Sequence, residues 1–167
     1  MPGAEVDYSI QTAPQIVPKD LPSQPQCSES ETKSAKLVEV RKMWLAGFID
    51  GEGHFYITRR AGSNYYDARL RVTNCDRYTL ECIQLTCGGS ISSIGKTRAR
   101  SRPGLRWECS GERAKWVAEM VQKYLITKRK QAKLFIEFFD YYAGPKRNLL
   151  TLKGYRTRMR KLNRRGV

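Results

Sequence analysis

Two carboxylates, Asp50 and Glu52, stand two residues apart where an apolar segment gives way to glycines, in the run Trp44-Leu45-Ala46-Gly47-Phe48-Ile49-Asp50-Gly51-Glu52-Gly53. A glutamate carried on a sharp turn past a helix end can grip a hard divalent cation, which takes oxygen ligands and keeps several waters. Such an ion serves phosphodiester hydrolysis: it positions a water, neutralises developing charge and stabilises the leaving group. The bland alternative for a glutamate between two glycines is a solvated turn residue. Upstream, Ala46 and Gly47 lack bulk and would let a second helix backbone approach. Gly51 and Gly53 accept positive φ, so the spacing predicts that the helix ends there and that Glu52 projects away from its packing.

The elements that must hold these groups follow from periodicity. Leu37, Val40, Met43 or Trp44, and Gly47 or Phe48 predict a helix from about Ser34 to Ile49, with Ser34 or Thr32 as its cap. The period then changes to two. Phe55 and Ile57 alternate with His54, Tyr56, Thr58 and Arg60; after the turn Ala61-Gly62-Ser63-Asn64, Tyr66, Ala68, Leu70 and Val72 alternate with Tyr65, Asp67, Arg69, Arg71 and Thr73. That is a hairpin with an apolar face and a basic, aromatic one. A short helix follows over 76–87, capped by Asp76 and turned inward at Leu80, Ile83 and Leu85 or Cys87. A third strand is predicted over 90–94 and a fourth over 105–110, with Leu105, Trp107 and Cys109 inward. Three helices complete the chain: one capped by Ser110, one over about 128–142, and one from Thr151 that is dense in Lys and Arg. The order is α-β-β-α-β-β-α-α-α, an α+β domain.

Charge narrows the partner. The chain has 31 basic and 16 acidic residues in 167, and residues 1–33 hold only two of the bases but five of the acids. The remainder is therefore far more basic than the total of +15 indicates. A compact body so charged fits a polyanion, and counterion release favours nucleic acid. No run of 18 apolar residues exists, so no membrane span is expected. Five cysteines without a C-x-x-C pair, and the single His54, argue against zinc and against a disulfide framework. Buried thiols are expected at Cys82 and Cys109, in a reducing intracellular compartment. Residues 1–33, with five of the seven prolines, form a predicted flexible arm and no secretory signal. Residues 34–145 form the folded domain, and 146–167 a basic helical extension.

Residues 45–53, Leu-Ala-Gly-Phe-Ile-Asp-Gly-Glu-Gly, closely resemble the signature of the LAGLIDADG homing endonucleases. Seven of nine letters match if Glu counts for Asp, and Phe48 and Gly51 are the departures. The element order over roughly 35–145 resembles that family's domain as well. The resemblance implies an αββαββα core with an antiparallel DNA-binding sheet, and extra C-terminal helices here. It implies Mg²⁺ (with Mn²⁺ or Ca²⁺ able to substitute in binding) held by Glu52 and the carbonyl of Gly51, with Asp50 structural. It also implies Asn74 as the residue that positions water and Lys128 as the catalytic lysine. Their ordinary alternatives are a turn former and a surface charge at a helix start. The family pairs two motif helices, and this chain carries one motif. A homodimer is therefore expected, with Leu45, Ala46, Gly47 and Phe48 at its interface.

The outer sheet face would read double-stranded DNA through His54, Tyr56, Thr58, Arg60, Tyr65, Arg69, Arg71 and Arg106, with Arg77 nearby. Lys96, Arg98, Arg100 and Arg102 would touch phosphates from their loop. Arg156, Arg158, Arg160, Lys161, Arg164 and Arg165 would grip the backbone without reading sequence. The expected activity is intron-encoded, sequence-specific cleavage of a long pseudo-palindromic site, leaving short 3′ overhangs. Two alternatives stand beside it: an RNA maturase acting on the chain's own intron, and a DNA-binding protein that does not cut. An organelle, chloroplast or mitochondrion, is the expected compartment ahead of a nucleus.

Overall fold

The computed structural model describes residues 29–95, 104–145 and 147–164. Residues 1–28 of the expected arm, together with Lys96, Arg98, Arg100, Arg102 and Arg165, lie outside the described residues. Among the described residues nine elements follow one another: α1 (Glu29–Glu52), β1 (Gly53–Arg59), β2 (Tyr66–Asn74), α2 (Arg77–Cys87), β3 (Ser90–Gly95), β4 (Gly104–Ser110), α3 (Gly111–Gln122), α4 (Arg129–Ala143) and α5 (Leu149–Leu162). Their order is the expected one. The strands form one antiparallel sheet in the order β1-β2-β4-β3, with helices against a single face.

Alternation of side chains builds that sheet. Phe55 and Ile57 of β1, Tyr66, Ala68, Leu70 and Val72 of β2, and Trp107 and Cys109 of β4 are buried. They meet Leu45, Ala46 and Ile49 of α1, Leu80 and Ile83 of α2, Val117 and Val121 of α3, and Phe135 and Phe138 of α4. Burial of this many large apolar groups is the main favourable term in folding. At the far corner Gly88 and Gly89 take φ of 66° and 89°. A Cβ on Gly89 would lie 2.7 Å from the Glu108 carbonyl, so only glycine lets β3 turn in beside β4 there. The helix α5 packs on α4 and along the edge strand β1, where Asn163 Nδ2 donates to the carbonyl of Phe55 at 2.7 Å.

Several local expectations are corrected. Among the described residues the first helix already includes Glu29, so Thr32 and Ser34 lie inside it and not at its cap. Residues 29–46 hold no proline or glycine, which lets the helix extend that far upstream. At its other end α1 runs through Gly51 to Glu52, and neither Gly51 nor Gly53 has positive φ. Gly53 is required for closeness instead: a Cβ there would sit 2.6 Å from the Ile49 carbonyl. On α2, Cys87 is buried while Cys82 is only half-buried and Leu85 is exposed. Burial pushes the Cys87 thiol up to about 11 and the Cys109 thiol to about 12, so neither is a nucleophile near neutrality. Asp76 caps α2 as expected, accepting from the Thr79 amide at 3.0 Å. Ser110 occupies the cap position of α3 without a side-chain hydrogen bond.

Candidate active site and nucleic-acid interface

The end of α1 is fixed by a reciprocal clasp with the start of α4. Asp50 Oδ2 accepts from the Ile126 amide at 2.6 Å, and its Oδ1 accepts from the Thr127 hydroxyl at 2.9 Å and the Lys128 amide at 2.8 Å. Going the other way, Lys128 Nζ donates to the carbonyls of Ile49 at 2.9 Å and Asp50 at 2.6 Å, with Gly51 O at 3.5 Å. A carboxylate thus caps the N-terminus of one helix while an ammonium caps the C-terminus of the other. Both pairings match the helix dipoles. Burial works to raise the Asp50 pKa, but the bonds from the Ile126 and Lys128 amides and the Thr127 hydroxyl outweigh it and hold the carboxyl below its usual range. Lys128, on sequence alone a cation opposing the dipole of its own helix, turns back onto α1.

Glu52 is the last residue of α1, exposed, and among the described residues it makes no hydrogen bond or ion pair. The backbone beneath it is locked while the carboxylate itself faces water. Gly53 pairs with Val72, so β2 runs on past the start of β1 and brings Thr73 and Asn74 to the same end of the sheet. Asn74 Oδ1 accepts from the Asp76 amide at 2.8 Å, which is its turn-forming role. Its amide NH₂ remains as a donor. Among the described residues no group of three or more His, Cys, Asp and Glu could hold a metal. Among the described residues at this end of α1, the donors expected from the sequence are Glu52 and the Gly51 carbonyl. That all-oxygen, sparse donor set fits a hard ion that keeps waters and takes further oxygens from a phosphate.

The open face of the sheet carries His54, Tyr56 and Thr58 on β1, Asp67, Arg69 and Arg71 on β2, Arg106 and Glu108 on β4, and Ser90 and Ser92 on β3. Register lines up His54, Arg71, Glu108 and Ser90 in one row and Tyr56, Arg69 and Ser110 in the next. Of the residues expected to read DNA, His54, Tyr56, Thr58, Arg69, Arg71 and Arg106 are brought together here. His54 stacks on Tyr56, and crowding, then the charges of Lys128 and Arg71, hold its imidazole below the ordinary value. Arg60 lies in the hairpin turn just past β1. The exposed Tyr65 meets Tyr142 of α4 edge-on, at the rim of the sheet. Arg77 points into water and pairs loosely with Glu81 of its own helix at 3.4 Å.

Glu108 and Asp67 are what sequence reasoning missed on this face. Glu108 accepts from the Tyr56 hydroxyl at 3.0 Å, from Arg69 at 2.5 Å and from Arg71. Asp67 takes Nε and Nη2 of Arg69. The only signal available beforehand was the outward parity of both acids among arginines. Beside β1, Arg156 and Arg160 of α5, with Arg164 just past its end, line a groove shared with His54, Tyr56 and Thr58, so the basic face continues onto the helix.

The exposed side of α1 is a third surface. Leu45 and Ala46, expected at a dimer interface, are 2% and 0% exposed because they point into the chain's own core. The residues left outside are Val40, Met43, Trp44, Gly47 and Gly51, with Phe48 half-buried and stacked on Trp44 at 5.6 Å. They recur at helical spacing. A Cβ at Gly47 or Gly51 would meet nothing within 4 Å, so that side of the helix is open to close approach.

A family model described as LAGLIDADG endonuclease matches residues 45–134. No curated relative matches the sequence. Among solved structures, the chain shares its fold with the homing endonuclease I-CvuI, seen on the I-CreI target. The two are 22% identical with a TM-score of 0.62, and the match covers 78% of this chain and 87% of that one. The archaeal intron-encoded homing endonuclease I-Vdi141I, complexed with DNA, matches at 19% identity and a TM-score of 0.62 over 77% and 87%. The LAGLIDADG homing endonuclease I-GzeII, on its DNA target, matches at 18% and 0.55 over 71% of this chain and 43% of its own.

Proposed function

We propose, from the premise that this chain belongs to the LAGLIDADG endonuclease family, that it is a sequence-specific, Mg²⁺-dependent homing endonuclease cutting double-stranded DNA as a homodimer. The observation that carries the reading is Glu52: an exposed carboxylate, without a partner among the described residues, on a backbone locked by the Asp50–Lys128 clasp at the end of a basic sheet. The similarly folded I-CvuI is itself known bound to DNA with magnesium or with calcium.

In this reading the outer sheet face lies in the major groove, while α5 and the loop cations grip phosphates. Glu52 and the Gly51 carbonyl hold the divalent ion, which when bound supplies charge neutralisation and an activated water. The Lys128 ammonium adds positive charge beside the scissile phosphate. The Asn74 NH₂ orients the attacking water. The exposed stripe of α1, from Val40 through Trp44 and Gly47 to Gly51, packs against its symmetry mate and brings the two Glu52 side chains to one centre. An isologous interface of that kind reads a pseudo-palindromic site, one half per subunit. Short 3′ overhangs, an intron-borne origin and an organellar location complete the proposal.

Cleavage of a duplex spanning the uninterrupted insertion site, in Mg²⁺, tests the activity. The expected result is cutting by the wild type, with binding but no cutting by Glu52→Gln. Sedimentation tests the assembly: a dimer is expected at micromolar concentration, shifted to monomer by Gly47→Leu. A wild type that stays monomeric with and without DNA overturns the homodimer. A second reading, a maturase on intron RNA, draws on a different observation. The groove between α4 and α5 is lined by Arg129, Lys130, Lys133, Arg158 and Lys161 against the single Glu137, and shares no residue with the groove beside β1. Faster splicing of the intron RNA without any DNA cut favours that reading.

A further inference from the structure

The centre of the outer sheet face differs from the rest of this basic surface because its two arginines share two carboxylates. Asp67 and Glu108 cancel Arg69 and Arg71, so the patch has almost no net attraction for phosphate. The two guanidinium groups are not equivalent. Arg69 commits Nε and Nη2 to Asp67 and Nη1 to Glu108, the last at 2.5 Å, so all three of its nitrogens are already engaged by carboxylates. Arg71 gives only its Nε to Glu108. Its guanidinium carbon lies 4.1 Å from the centre of the Tyr56 ring, a cation–π contact that fixes the plane of the group. Tyr56 is fixed in turn by its hydroxyl, which donates to the same carboxylate at 3.0 Å. Arg71 therefore keeps both Nη groups without a carboxylate partner among the described residues, on a guanidinium held by Glu108 and by the Tyr56 ring. Glu108 cannot serve as a reader, because Oε1 is occupied by Arg69 and Oε2 by Arg71 and Tyr56.

We infer that Arg71 reads one guanine in each half-site through a bidentate contact, and that Glu108, with Tyr56, Arg69 and Asp67, is the frame that aims it. The inference rests on the DNA-reading role proposed above and adds which base that face selects, and through which side chain. A fixed planar fork matches the N7 and O6 acceptors of guanine in the major groove; an ammonium does not reproduce it. The frame spans β1, β2 and β4, so recognition at this one base depends on residues up to 52 positions apart in sequence.

Recovery of bound duplexes from a randomised pool, with the full-length protein, tests this. The wild type should enrich guanine at one position of each half-site. Arg71→Lys should erase that preference, a drop of roughly five- to 150-fold, while leaving the other positions and the salt dependence of binding nearly unchanged. Glu108→Gln should weaken the same preference at the same position, since Arg71 loses its charged anchor, and Arg69→Lys should do so less. Thermal unfolding of each variant shows that it is folded; should Arg71→Lys not fold, Glu108→Gln carries the test. An unchanged guanine preference in the folded variant overturns the inference, as does an equal loss at every position. A wild type that enriches no sequence overturns the DNA-reading role itself and this inference with it.

Discussion

Asp50 and Glu52 stand two residues apart on one helix, yet the described residues occupy both oxygens of the first and neither oxygen of the second. The Asp50 carboxylate accepts three hydrogen bonds from the start of α4, and the carbonyls of Ile49 and Asp50 accept from Lys128. Glu52, one residue past Gly51, faces water. The difference separates holding from acting. A carboxylate whose lone pairs are filled by amides is a strut, whereas one kept unfilled on a rigid support can take an external ligand without reorganising the protein. The same division recurs on the sheet, where Arg69 is braced on three nitrogens and Arg71 on one.

Substitutions at the two acids should therefore separate activity from stability. Glu52→Gln should lower cleavage by roughly a thousandfold or more, about 4 kcal/mol of barrier, with the unfolding midpoint and DNA affinity nearly unchanged; single-turnover cleavage and denaturant titration check both halves. A large loss of stability there would erase the contrast. Asp50→Ala should show the opposite pattern, lowering unfolding free energy by about 2 kcal/mol as three donors lose a charged acceptor, with cleavage falling only as far as the α1 end loosens. Urea unfolding measures the first and kinetics the second.

The smallest effect is in acid. Because the folded Asp50 pKa lies below its ordinary 3.8, its contribution is complete above that value and disappears as pH falls through the depressed folded one. The stability gap between wild type and Asp50→Asn should accordingly narrow only below about pH 4. A gap that narrowed near neutrality would assign the effect to another group, such as His54.

Much of this was legible in the chain because it is local. Strand alternation fixed which residues of β1, β2 and β4 face inward, since a period of two leaves no other register for an apolar face. The motif pointed to the family, and Gly-Gly and Asp76 marked the ends of α2. What failed was also local in kind. Gly51 and Gly53 look like helix terminators by propensity, but the contact of Gly53 with Ile49 rather than its φ explains the second of them. Leu45 and Ala46 cannot be told from Gly47 and Trp44 in an apolar helix until one knows which side the sheet covers.

By itself, then, the sequence determined the order of elements, the inward faces of β1, β2 and β4, the family, and the place of Glu52 at the end of the motif helix. Those depend on neighbours a few residues away. Only the tertiary structure decided which side of α1 stays open, that Lys128 and Asp50 cap each other's helices across 78 positions, and that Glu108 binds Arg69 and Arg71 unequally. Each of these is a pairing between distant segments, fixed by the geometry of packing, and one chain's composition carries no record of distance.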